Sequence, residues 1–146
     1  MIKAVRGIVF LATPHRGANL AEVLNKLLSA TLRSPKQYIS DLQRSSARIT
    51  DINDQFKLYQ EKVQLVSFFE TQPLHIGFSR KAIVVERDSA ILDYPYEISS
   101  PLNANHSTVC KYASRTDPNY VRVRNVIKML IETFKAQPKA SRELQS

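Results

Sequence analysis

The stretch Gly7-Ile-Val-Phe-Leu-Ala-Thr13, closed by Pro14, is an uninterrupted apolar run close to the start of the chain. A short run of this kind that stops at a proline is typical of a strand buried on both faces of a parallel sheet. A central strand normally has earlier strands to pair with. We therefore expect a core strand of a sheet whose N-terminal half is missing or is supplied by another chain.

Helical periodicity follows this strand in three places. The apolar residues predict one helix over residues 20–30, and a second over 36–59 with Ser34-Pro35 before it and a break near Ser45-Ser46. Asp117-Pro118 opens the last helix. The apolar stripe expected along that helix is made of Tyr120, Val123, Ile127, Leu130 and Phe134.

Two further strands are predicted between these helices. Residues 63–69 and 82–86 are rich in β-branched and aromatic side chains, and a loop with Pro73 and Gly77 connects them. The order strand, helices, strand, strand, loop and helix predicts an α/β fold with a mainly parallel sheet flanked by helices. We place the domain at residues 1–137 and a polar tail at 138–146.

The composition fits one compact intracellular domain. Of 146 residues, 43% are apolar, which is enough for a core, whereas only three are glycine. The single cysteine, Cys110, excludes an internal disulfide and is expected to be a small buried thiol. The N-terminus has no signal-peptide pattern, and no apolar stretch reaches the roughly 20 residues of a membrane span. A cytoplasmic location is expected.

The charge balance is basic, with 21 Lys+Arg against 13 Asp+Glu and a net charge of +8. Such a charge suits a polyanion or an anionic membrane surface. The cations are scattered, and those on the last predicted helix (Arg122, Arg124 and Lys128) are not interleaved with aromatics as single-strand binders require. We expect no nucleic-acid partner, and membrane association rests on net charge alone.

Candidate catalytic residues lie at the expected carboxyl ends of the strands, where parallel sheets place their sites. An acyl-transfer site needs a nucleophile, an imidazole base and a carboxylate that orients the imidazole. His106 lies before the last helix, Glu70 follows one predicted strand, and Asp88 is the rival acid after the next. Each has a simpler alternative: His106 as a surface or capping residue, Glu70 as a loop cap and Asp88 as a turn residue.

Other elements of a hydrolytic or metal site are absent from the sequence. No Gly-x-Ser-x-Gly nucleophile elbow occurs, and Cys110 is rejected as a nucleophile. The three histidines, at positions 15, 75 and 106, lack zinc-site spacing, and there is no glycine-rich phosphate loop, so no metal or cofactor is expected. Residues 13–17, Thr-Pro-His-Arg-Gly, form either a turn with Gly17 at positive φ or a substrate-contacting loop.

Four ordered motifs carry a family resemblance. They are residues 7–17 (GIVFLATPHRG), 67–71 (SFFET), 85–90 (VERDSA) and 105–111 (NHSTVCK). Together they resemble the lipase-like serine esterases of the α/β-hydrolase superfamily. The most similar branch contains the serine-active-site-containing proteins and the hydrolase-like N-terminal domains of fungal NACHT or ankyrin-repeat receptors, with GPI inositol-deacylases more distant.

This resemblance implies a specific site and substrate class. It places residue 1 just downstream of the nucleophile serine, makes His106 the base, and makes Glu70 or, second in preference, Asp88 the acid. Lipid or other ester substrates are implied, and the partner is the missing N-terminal half or another protein domain. We expect a serine-esterase fragment that is inactive alone. The alternative is a non-catalytic hydrolase fold that serves as a recognition module of a receptor-like protein.

Overall fold

The computed structural model describes residues 5–15, 46–76 and 80–136. The predicted helix over 20–30, the first part of the helix over 36–59, residues 16 and 17, and the polar tail lie outside the described residues. The described elements are, in chain order, β1 (Gly7–Leu11), α1 (Ser46–Lys57), a 3-10 turn (Gln60–Lys62), β2 (Gln64–Glu70), β3 (Leu74–Ile76), β4 (Arg80–Ala82), α2 (Arg87–Ala90), β5 (Ile98–Leu102) and α3 (Pro118–Ala136).

A three-stranded parallel sheet organises the described part of the chain, in the order β1-β2-β5. Gly7 is opposite Gln64 at the N-terminal end of the sheet, and Glu70 is opposite Leu102 at its C-terminal end. The central strand β2 is almost fully buried, because parallel neighbours flank it on both sides. The mostly parallel sheet with flanking helices is compatible with the predicted α/β class.

Helix α3 covers one face of this sheet. Its Val123 and Leu130 pack with Val66 and Phe68 of β2 in the main hydrophobic core. The predicted apolar stripe is wrong at Ile127, which is exposed, and Val126 contacts the core in its place. Both positions fit a helical repeat, so periodicity alone did not decide between them.

The strands and α3 run in opposite directions. Near its first turn, the Asn119 side chain exchanges hydrogen bonds with the backbone of Asn103, just after β5. Near its last turn, the Arg6 guanidinium donates to the Phe134 carbonyl at 3.0 Å. The Phe134 ring also lies so close to Gly7 that an added Cβ would be 3.1 Å from it. The helix is therefore fixed at both ends of the sheet.

The strand predicted over residues 82–86 is wrong beyond Ala82. Only Ala82 belongs to a strand, β4, which pairs with β3 in a short antiparallel ribbon where the sequence indicated a loop. Val84 and Val85 are fully buried with Phe69 and Leu74 in a second hydrophobic cluster. The sequence predicted their burial correctly. Their N–H groups, however, donate to the Glu70 side chain and not to a neighbouring strand.

The third strand of the parallel sheet, β5, was not predicted. Its sequence, Ile-Ser-Ser-Pro-Leu, has a weak strand signal because serine has a low strand propensity and proline lacks a backbone donor. It forms because β2 offers a full parallel register to it. Among the described helices, none is long and apolar enough to cross a membrane.

Candidate active site

The carboxyl ends of β2 and β5 are joined by a group of hydrogen bonds. The Thr71 N–H donates to the Leu102 and Ala104 carbonyls, and its hydroxyl donates to Leu102 at 3.0 Å. The side-chain amide of Gln72 donates a hydrogen bond to the side-chain oxygen of Asn103 at 2.7 Å. These bonds fix the start of the loop that carries His106 relative to the end of the strand that carries Glu70.

A compact turn presents His106. The Asn105 carbonyl accepts the N–H groups of Thr108 and Val109, and its side-chain oxygen accepts the Ser107 N–H at 3.0 Å. Ala104 and Val109 are buried on either side of the turn and belong to the main core. Because the turn is anchored at both ends, His106 is placed by the fold and not by a free loop.

His106 and Glu70 are in direct contact. The His106 Nδ1 atom lies 2.9 Å from the Glu70 Oε2 atom, although the residues are 36 positions apart. The Glu70 side chain is 0% exposed and that of His106 is 23% exposed. The buried carboxylate therefore accepts a hydrogen bond from an imidazole that still has access to the surface. Such a contact selects the tautomer with the proton on Nδ1 and leaves Nε2 as a proton acceptor.

The second oxygen of Glu70 is also held. Its Oε1 atom accepts the N–H groups of Val84 at 2.6 Å and Val85 at 3.0 Å. Two successive backbone N–H groups make a small anion-binding concavity, which compensates the burial of the carboxylate. The segment between β4 and α2 thus orients Glu70, and Glu70 orients His106.

Asp88 occupies a different environment. It lies in the short helix α2, its side chain is 88% exposed, and its carboxylate is 3.8 Å from the Arg87 guanidinium. The structure therefore brings together His106 and Glu70, the first two of the predicted site residues, and leaves the third in solvent. The catalytic roles of all three stay predictions.

The loop after β1 lies at the same C-terminal end of the sheet. Ala12 is buried and has a φ of 47°, a left-handed conformation that residues other than glycine seldom adopt. Gly17, for which a positive φ was one of two sequence interpretations, lies outside the described residues. The His15 N–H donates to the Ser89 carbonyl at 2.8 Å, and its ring makes an edge contact with Phe10. Burial lowers the pKa of His15, and the nearby Glu97 acts in the opposite direction. Burial therefore favours the neutral form of the His15 imidazole.

Glu97 is a structural residue that the sequence did not single out. Its carboxylate accepts the N–H groups of Leu92 and Asp93 at 3.1 and 2.7 Å, so it closes the loop before β5. Asp93 and Tyr96 in this loop both have a positive φ. The only local signal was the density of residues that favour turns, Asp93-Tyr-Pro-Tyr96.

Four other described residues with nucleophilic or metal-binding side chains, Cys110, Ser67, Ser89 and His75, form no hydrogen bond with His106. Cys110 is exposed, contrary to the expected burial, because Val109 takes the inward position of the turn. The hydroxyls of Ser67 and Ser89 are buried and form no hydrogen bond with the described residues. His75 is exposed on β3. In residues 5–15, 46–76 and 80–136, no group of three or more His, Cys, Asp and Glu residues is placed to hold a metal ion.

Comparison with known proteins gives one consistent similarity. The chain is 34% identical to Protein SERAC1 of Bos taurus, 33% to that of Mus musculus and 32% to that of Homo sapiens, each over 113 residues. The aligned segment covers 76% of this chain and 17% of each relative. No family model and no solved structure matches the chain. The chain is thus similar in sequence to one segment, about a sixth of the length, of the SERAC1 proteins.

Proposed function

We propose that this chain carries the base and the acid of a Ser-His-acid hydrolase site that acts on lipid esters, and that the serine comes from a segment outside these 146 residues. The contact between His106 and the buried Glu70 is the observation that carries the proposal. The similarity to SERAC1 supports a hydrolase-like function. The lipid-ester substrate rests on the motif resemblance.

The proposed reaction follows from the positions of the two nitrogens of His106. Glu70 holds the Nδ1 proton, so Nε2 accepts the proton of the attacking serine hydroxyl and then returns it to the leaving alcohol. The imidazolium formed between these steps is stabilised by the Glu70 carboxylate, which is already oriented by the N–H groups of Val84 and Val85. Little reorganisation is then needed during the reaction.

Among the two candidate acids, Glu70 is the one that we assign. Asp88 is exposed to solvent and is paired only with its neighbour Arg87 among the described ion pairs. A carboxylate in water interacts weakly with an imidazolium, whereas a buried one is screened much less. The proposal therefore expects that Asp88→Asn leaves hydrolysis unchanged, whereas Glu70→Gln reduces it strongly.

The test is hydrolysis of short-chain aryl esters by this chain and by a version extended upstream according to its transcript. Each is assayed beside its His106→Ala variant, with Asp88→Asn as a matched control. Activity that appears only in the extended protein, and that is lost with His106→Ala but kept with Asp88→Asn, supports the proposal. An extended protein that folds cooperatively but does not turn over any ester would overturn it and favour a recognition module.

A further inference from the structure

Helix α3 carries a stripe of three cations and two isoleucines that the core does not use. Ile127, Lys128, Ile131 and Lys135 follow Arg124 by three, four, seven and eleven positions, so all five lie on one side of the helix. Ile127 is 40% exposed and Ile131 is 45% exposed, and the three cations are exposed as well. We call this set the α3 stripe.

Within residues 5–15, 46–76 and 80–136, no ion pair neutralises the positive charge of the α3 stripe. The Arg124 guanidinium contacts the Asn125 side-chain oxygen at 3.1 Å and the Tyr120 ring, both of which are uncharged. Among the described residues, no carboxylate lies within 4.0 Å of the three cations. Glu132 is the single acidic residue of α3 and lies at the margin of the stripe. The stripe thus keeps its charge in a chain of net charge +8.

We propose that the α3 stripe docks the protein on an anionic phospholipid surface. A helix that lies in a bilayer interface combines Lys and Arg with apolar side chains that enter the boundary between headgroups and acyl chains. Phosphate groups are complementary to the three cations, and the acyl boundary is complementary to the two isoleucines. A soluble polyanion would need the cations alone, so the exposed isoleucines favour a lipid surface.

Docking in this way needs no refolding of the protein. A neighbouring side of α3 stays packed on the sheet through Val123, Val126, Leu130 and Phe134. The apolar area of two half-exposed isoleucines is small, so most of the attraction comes from charge and decreases as salt screens it. The proposal is independent of the proposed hydrolysis, because neither Glu70 nor His106 belongs to the stripe.

Sedimentation with vesicles tests this proposal. The full chain is mixed with vesicles of phosphatidylcholine alone or of phosphatidylcholine with phosphatidylglycerol, and the bound fraction gives a partition coefficient. We expect binding only to the second kind. Each cation near an anionic surface contributes about fivefold, so the triple variant R124Q/K128Q/K135Q binds about 100-fold more weakly. The double variant I127S/I131S binds several-fold more weakly, although its charge is unchanged.

A matched control separates the stripe from net charge. The triple variant K62Q/K81Q/K111Q loses the same charge from exposed lysines elsewhere, and we expect its binding to stay within about twofold of the original. Retention on a heparin column should be unchanged in I127S/I131S. The proposal is wrong if anionic vesicles are not preferred or if the control triple loses as much binding as the stripe triple. It is also wrong if I127S/I131S binds vesicles like the original chain, since charge alone would then act.

Discussion

Replacement of Glu70 by alanine removes one acceptor group that serves three hydrogen bonds. Its two oxygens bind the N–H groups of Val84 and Val85 at 2.6 and 3.0 Å and the His106 Nδ1 atom at 2.9 Å. Val84 and Val85 are both 0% exposed. Their N–H groups therefore lose their acceptor within an apolar cluster once the carboxylate is gone.

The expected loss of stability follows from those two buried donors. A buried donor without a partner costs about 1 to 3 kcal/mol, so two of them cost about 2 to 6 kcal/mol. A domain of this size has a free energy of unfolding of about 5 to 15 kcal/mol. Glu70→Ala should thus remove a large share of the stability. His106 adds little to this cost, because its partly exposed ring can bind water.

Urea unfolding followed by circular dichroism measures the effect, with two variants for comparison. Glu70→Gln keeps an oxygen that can accept the two backbone N–H groups, so we expect a smaller loss of about 1 to 2 kcal/mol. His106→Ala removes only the third hydrogen bond and leaves the buried donors paired. Its loss should be at most about 1 kcal/mol. Amide exchange at Val84 and Val85 should accelerate in Glu70→Ala and not in His106→Ala.

Two results would refute this reasoning. One is a Glu70→Ala variant that unfolds within about 0.5 kcal/mol of the original chain, which is the range of an ordinary surface substitution. The other is a His106→Ala variant that costs as much as Glu70→Ala. In the first case the 83–86 segment does not depend on Glu70, and in the second the imidazole contact is the main structural interaction.

Three further predictions concern packing and pH. Gly7→Ala places a Cβ 3.1 Å from the Phe134 ring, so we expect a loss of about 1 kcal/mol and a lower Tm that Phe134→Leu partly restores. Burial lowers the pKa of His15 from its ordinary 6.5, so the free energy of unfolding should be highest above pH 6.5 and should decrease as the pH falls below that value. In a series of Tm measurements at different pH values, His15→Gln should remove this decrease. The N–H groups of Ala113 and Asn119 hold the pKa of Asp117 below its ordinary 3.8, so their stabilising effect should be present above pH 3.8 and be lost at lower pH. The Asp117→Asn variant should lack this acid-dependent loss of stability. Identical acid-unfolding curves for the variant and the original chain would contradict this prediction.

The parts of the fold that the sequence predicts well are those with strong local signals. The apolar run of β1, the aromatic and β-branched run of β2 and the Asp117-Pro118 start of α3 all lie where the residue pattern placed them. In each case burial and backbone conformation are determined by residues that are near each other in the chain. Local pattern is enough for such elements.

The parts that the sequence missed depend on distant partners. β5 carries two serines and Pro101 and is a strand because it pairs with β2, about 30 positions earlier. Val84 and Val85 look like strand residues, but the Glu70 carboxylate takes their N–H groups. At the site, the sequence favoured Glu70 as the acid and kept Asp88 as a rival, because both follow apolar runs. Only the tertiary structure shows which of the two carboxylates contacts the imidazole.

The double role of Glu70 decides which variant is informative about chemistry. Because the same carboxylate holds two buried backbone donors and the imidazole, loss of hydrolysis in Glu70→Ala would follow from misfolding as readily as from a missing acid. His106 makes its contact from a partly exposed turn that Asn105 and Val109 anchor without its side chain. A folded His106→Ala variant of the protein extended upstream therefore separates chemistry from structure. A folded variant that loses all ester hydrolysis identifies the imidazole as the base. Unchanged hydrolysis would mean that the contact between His106 and Glu70 has a structural role and no catalytic one.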